Sequence, residues 1–239
     1  MNAKLKNGLK LIFILLIFFN IGGIALVVSG IFNIDLRNLS EEHLAYLNLI
    51  LMSFISLVCL LLYFSYLKED WIKFKERLKE NLITSLKLFV IFMLIKFAAS
   101  IATVIASMAL GIEFVQSDNQ EVIEALTVVA PIAMLITAGL LAPFYEEVIF
   151  RLGFKKIITK QHLYIILTGL LFGLIHTVSI NLFLDFRGTD WNLILIQSIV
   201  FVAMGITLSA IYWKRPNIWI VVIVHALNNL LSLGILFLL

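Results

Sequence analysis

What most constrains this chain is a series of apolar runs, each about as long as a bilayer is thick, separated by clusters of lysine and arginine. A spanning helix needs roughly 20 largely apolar residues. Such runs fall at about 9–31, 44–67, 88–114, 123–142 with an extension through 154, 163–184, 192–213 and 218–238. Backbone groups in hydrocarbon must bond within their own segment, so each run reads as a helix. A soluble core is excluded by composition: 62% of the 239 residues are hydrophobic and 14% charged, with mean hydropathy +1.07. Soluble domains carry about 25% charged residues. The expectation is an all-α, polytopic transmembrane helix bundle of seven helices, or eight if Pro143 divides the fourth.

The basic residues set an orientation. With the N-terminus inside, the inner loops collect Lys4, Lys6, Lys10, Lys68, Lys73, Lys75, Arg77, Lys79, Lys87, Arg151, Lys155, Lys156, Lys160, Lys214 and Arg215, fifteen of the eighteen Lys and Arg. The outer side keeps Arg37 and Arg187, while Lys96 falls within a span. This bias puts the N-terminus in and the C-terminus out. Lys96 reads as a snorkelling residue near a helix end or as the buried partner of an acidic group. The stretch 68–81 mixes charges with Trp71, Ile72, Phe74 and Leu78, as an interfacial helix would. The first apolar run is too long for a signal peptide and reads as a retained helix. The single cysteine, Cys59, excludes an internal disulfide. With the basic residues confined to loops, nothing suggests nucleic-acid binding.

Ionisable groups inside a membrane cost about 2.5–3.5 kcal/mol on insertion scales and are functional by default. Here they gather on three helices of the C-terminal half. Glu147 and Arg151 are four apart, on one face, in the better order for an ion pair; Glu146 is rotated about 100° from them. Phe172 and His176 share a face, where Gly169 and Gly173 permit close helix contact. His225 and Asn229 share another, and Asn228 points elsewhere, toward an interhelical hydrogen bond. At 1.5 Å per residue, His225 and Asn229 lie about 10 and 16 Å from the start of their helix, His176 about 20 Å along its own, and Glu146 about 12 Å from Phe154. Three segments thus bring polar groups to similar depths. His43 and His162 fall in expected loops and read as solvated.

Glu146-Glu147-x-x-x-Arg151, Phe172-x-x-x-His176 and His225-x-x-x-Asn229 together resemble the signature of the CPBP intramembrane metalloproteases, the Abi family, which includes CAAX prenyl endopeptidases and bacteriocin-processing enzymes. The resemblance implies a helical bundle with a conical cavity open to the cytoplasm, and cleavage of membrane-associated peptides or proteins. The site it implies comprises Glu146, His176, His225 and Asn229, supported by Glu147, Arg151 and Phe172. Glu146 would activate water, His176 hold it, and His225 and Asn229 face the oxyanion. His176 and His225, with Glu146, are also a plausible set for Zn2+ or another divalent metal, leaving an open position for water; a Glu146 bound to metal would be less available as a base. The sequence leaves both schemes open.

Residues 1–120 are expected to be scaffold or substrate-specific and 121–239 the catalytic core of one membrane domain. The expected location is a bacterial plasma membrane, with the lipid bilayer and a membrane-associated substrate as partners. Two other classes stand beside the protease: a non-catalytic bacteriocin-immunity or binding protein using the same cavity, and a proton-coupled transporter. The transporter calls for polar residues over both leaflets and paired broken helices, whereas the N-terminal half is nearly featureless.

Overall fold

The computed structural model describes residues 2–32, 35–113, 117–177 and 190–237. Arg187, the side chain of Arg37 and the part of the fifth span beyond 177 lie outside them. The described residues form helices and no strands. They are α1 (Ala3–Phe19), α2 (Ile21–Phe32), α3 (Glu41–Glu76), α4 (Leu78–Leu110), α5 (Asp118–Val129), α6 (Pro131–Gly153), α7 (Gln161–Thr177), α8 (Trp191–Lys214) and α9 (Ile218–Leu236). Five of these, α3, α4, α6, α8 and α9, are long and apolar enough to cross a membrane. The bent pair α1–α2 makes a sixth, and α7 is apolar but shorter. This is a multi-pass helical membrane protein, and its helices follow the expected runs.

The differences have local causes. The first run is bent by 61° between α1 and α2. At the joint the Asn20 side chain donates to the Leu16 carbonyl at 2.8 Å, offering the backbone an alternative to the helical ladder. The fourth run breaks at Ala130–Pro131 rather than at Pro143. Pro143 is accommodated inside α6 because the preceding turn, Thr137–Leu141, is a wide π-turn in which the Ala142 N–H reaches back five residues to the Thr137 carbonyl.

The stretch 68–81 is not a separate interfacial helix. It is the end of α3 and the beginning of α4, with Arg77 between them. One face of it does structural work. The Asp70 carboxylate accepts the Ile218 N–H at 2.9 Å, the Asp70 carbonyl accepts from Asn217 at 2.8 Å, and Trp219 donates to the Leu67 carbonyl at 3.2 Å. An acidic residue at a helix N-terminus offsets its orphan N–H groups, so α3 fixes where α9 starts. His43 and His162 are exposed as expected, but they lie in the first turns of α3 and α7, not in loops. His43 is part of the N-cap of α3, its backbone N–H donating to the Ser40 hydroxyl at 3.3 Å.

α7 and α8 make the most extensive helix pair. A Cβ on Gly173 would lie 2.9 Å from the Val202 backbone nitrogen, and one on Gly205 would lie 2.8 Å from the Gly169 carbonyl oxygen. Glycine therefore lets the two backbones touch, as in small-residue packing within membranes. Across the same seam the Thr168 and Ser209 hydroxyls share a hydrogen bond of 2.7 Å. This close contact holds the end of α7 that carries Phe172 and His176.

Candidate active site

The three motifs converge. α6 brings Glu146, Glu147 and Arg151, all buried; α7 brings Phe172 and His176; α9 brings His225, Asn228 and Asn229. Glu147 is the organising residue. One carboxylate oxygen faces Arg151 Nε at 3.1 Å, and the other accepts from His225 Nδ1 at 2.9 Å. The Arg151 guanidinium, fully buried, lies over the Phe172 ring at 4.8 Å. Phe172 also packs on His176 at 4.4 Å and edge-on to His225 at 5.6 Å between ring centroids. It is the wall between the arginine and the two imidazoles.

Both imidazoles are anchored through Nδ1. His176 Nδ1 donates to the Phe172 carbonyl at 2.7 Å, and a carbonyl can only accept, which fixes the tautomer. Each Nε2 is thereby turned toward Glu146: its Oε2 lies 3.8 Å from His176 Nε2 and 3.9 Å from His225 Nε2. These separations exceed a hydrogen bond. They suit a single bridging atom between the three groups. Glu146 Oε2 is buried and has no hydrogen-bond partner among the described residues.

Asn229 belongs to a second network. Its Nδ2 donates to the Ala138 carbonyl at 2.8 Å, its Oδ1 accepts from Asn228 Nδ2 at 2.9 Å, and Asn228 Oδ1 accepts from Lys96 Nζ at 2.8 Å. The Ala138 carbonyl is free because its partner in the π-register would be residue 143, and proline has no N–H. Asn228 makes the interhelical bond expected of it. Among the described residues Lys96 pairs with no carboxylate; it bonds Asn228 and lines the cavity rather than reaching for a helix end.

That cavity, of about 660 Å³, is lined by Glu146, His176, His225, Asn228, Asn229 and Lys96 among apolar side chains. It extends to Leu44 and Asn48 of α3, Gln120 of α5 and Leu236 of α9. None of Lys155, Lys156, Lys160, Lys214 or Arg215 lines it. The lining runs toward the helix ends away from these basic residues. Arg151, counted among the inner-loop charges, is instead part of the buried core.

Residues 128–231 match the family model described as Rce1-like, type II CAAX prenyl endopeptidase. The C-terminal part of the chain is thus similar to that family's domain. UPF0177 protein YvdC of Lactococcus lactis subsp. lactis is 33% identical over 121 residues, half of this chain. The match spans 41% of that relative's own length. No solved structure matches the chain. The matched domain contains Ala138, Glu146, Glu147, Arg151, Phe172, His176, His225, Asn228 and Asn229, and leaves out Lys96.

Within the domain, two imidazole Nε2 atoms and an orphaned carboxylate oxygen are chemically a donor set for a divalent ion, with Nδ1 anchored as metal-bound histidines usually are. Among the described residues, however, no three His, Cys, Asp or Glu side chains form a metal-holding group. Sequence reasoning missed two features of the site: the bond from Glu147 to His225, and the Lys96–Asn228–Asn229 chain. The spacing of Glu147 to Arg151 signals the ion pair, but residues 78 positions apart carry no periodic signal of contact.

Proposed function

We propose that this protein is an intramembrane endopeptidase that hydrolyses peptide bonds of membrane-associated substrates, with Glu146 as the base that activates water. The observation that carries this is the gap between Glu146 Oε2 and the two Nε2 atoms, 3.8 and 3.9 Å, with all three groups on one cavity wall. A water about 2.8 Å from each would bridge them.

The anchors give the two histidines different work. His176 is bonded to a neutral carbonyl, so its Nε2 lone pair accepts a hydrogen from the water and holds it for attack. His225 is bonded to a carboxylate, which can share a second ring proton, so its Nε2 can donate to the oxyanion. Asn229 uses one of its two amide hydrogens on Ala138 and keeps the other for the same oxyanion. Glu146 takes the proton of the water as its oxygen bonds to the scissile carbon, then returns it to the departing amine. Glu147 and Arg151 hold His225 and keep a second negative charge neutralised beside Glu146. Every step above is assigned to side chains alone.

The test is cleavage of a membrane-tethered peptide by wild type and Glu146→Gln. Loss of a base of this kind costs about 10²–10⁴ in rate. Equal cleavage by both proteins would remove the protease reading and leave a binding protein. Full activity after chelation, with no metal bound to the purified protein, would assign the reaction to the side chains.

A further inference from the structure

Lys96 stands on α4, outside the matched domain, yet its ammonium lies in the cavity that holds Glu146. It is the one Lys or Arg lining that cavity among the described residues. Of its three N–H donors one is used, toward Asn228, and among the described residues no carboxylate lies within ion-pair distance. The one carboxylate-bearing lining residue among the described residues, Glu146, is committed to the reaction centre. Much of the rest of the cavity lining, Met52, Leu126 and Phe201 among it, is apolar. An ammonium placed deep in a membrane protein without an anion is costly. The cost is offset when a ligand supplies the anion.

We propose that Lys96 is a carboxylate subsite of the cavity, which binds a carboxylate on the substrate and thereby selects and orients the peptide. The carboxylate is that of a chain end or of an acidic side chain; the chemistry at the ammonium is the same. Asn228 is three residues from His225, about 4.5 Å along α9, and Lys96 lies one hydrogen bond beyond it. An extended peptide advances about 3.3–3.6 Å per residue. The carboxylate therefore sits about two residues or more from the bond presented to Glu146. The choice of bond rests on the protease reading above, whereas the binding of the carboxylate does not.

The test uses the full chain carrying Glu146→Gln, held in lipid nanodiscs so that peptides survive. The probes are three dansylated hexapeptides of leucine and alanine: one with a free terminal carboxylate, one with a terminal amide, and one amidated but with glutamate near its end. One charge-assisted pair is worth about tenfold to a hundredfold in affinity. At least one charged probe should bind that much more tightly than the neutral one, and the comparison of the two charged probes assigns the source. Adding Lys96→Gln, which keeps a donor for Asn228, should bring all three within about twofold, while Lys96→Arg keeps the preference. Unchanged thermal unfolding of Lys96→Gln shows that the fold is retained. Equal affinity for all probes, no binding of any, or a preference that survives Lys96→Gln would overturn the subsite. Wild-type protein that prefers carboxylates but cuts nothing would leave the subsite and remove the protease; cleavage of all three probes alike would do the reverse.

Discussion

α4 and α6 are both apolar, both span-length, and they teach opposite lessons about polar residues in a membrane. In the most apolar window of α4, 11% of residues are buried within the protein; in α6 the share is 61%. α4 meets lipid along most of its length, and among the described residues the one charged side chain it turns into the cavity is Lys96. α6 is surrounded by other helices and can hold two carboxylates and a guanidinium in succession. Hydropathy sees α6 as the weaker span because of those charges, although it is the more deeply embedded of the two. The environment that makes charge expensive is the same one that lets a fixed carboxylate, imidazole and arginine act as a unit.

That contrast can be broken most severely at Arg151. Arg151→Met leaves Glu147 buried without its partner, which typically costs about 3–5 kcal/mol; thermal unfolding in detergent should show it, and His225 should lose its alignment along with activity. A variant as stable as wild type would show that Glu147 does not depend on the arginine. Next in size are His176→Ala and His225→Ala. Each should lower cleavage by about 10²–10³; His176→Ala should change the unfolding temperature little, whereas His225→Ala also leaves a buried Glu147 oxygen without its donor and should cost about 1–3 kcal/mol. Gly173→Val should follow, since its Cβ would sit against the Val202 backbone and force α7 away from α8. Such overpacking costs about 1–3 kcal/mol, and activity should fall with it. On α4 the effect should be smallest. Ile105 is exposed toward the lipid, so Ile105→Ala should shift stability by less than about 0.5 kcal/mol. A larger loss would mean that this face of α4 is covered by another protein.

Sidedness sharpens the same comparison. Asn48 lines the cavity and Lys156 does not. If the basic loops lie inside, Asn48→Cys should react with a membrane-impermeant maleimide in intact cells and Lys156→Cys only after permeabilisation; Cys59 is buried and gives little background. The reverse pattern would turn the whole bundle over.

The spans and the three motifs were legible because each depends on residues close in sequence. Apolar length marks α3, α8 and α9, and four-residue spacing marks Glu147 with Arg151 and Phe172 with His176. The rest depends on which helices meet. Nothing around Asp70 announces that it caps α9, and its setting of charges and aromatics looks like any interfacial segment. Lys96 has the same surroundings in sequence as a lipid-anchoring lysine; only the fold puts Asn228 beside it. The break at Pro131 and its absence at Pro143 turn on a π-turn, which has no reliable sequence mark.

Pro143 also has a consequence that reaches well beyond its own turn. By lacking one hydrogen atom it leaves a carbonyl vacant on α6, and a side chain 91 residues further along the chain takes it up. A defect in one helix thus serves as the address at which another docks. Restoring that hydrogen, as Pro143→Ala would, gives the backbone a rival claim on the oxygen and lets α6 rewind toward regular spacing, freeing Asn229 to swing. Regularity would be gained by the helix and lost by the pocket.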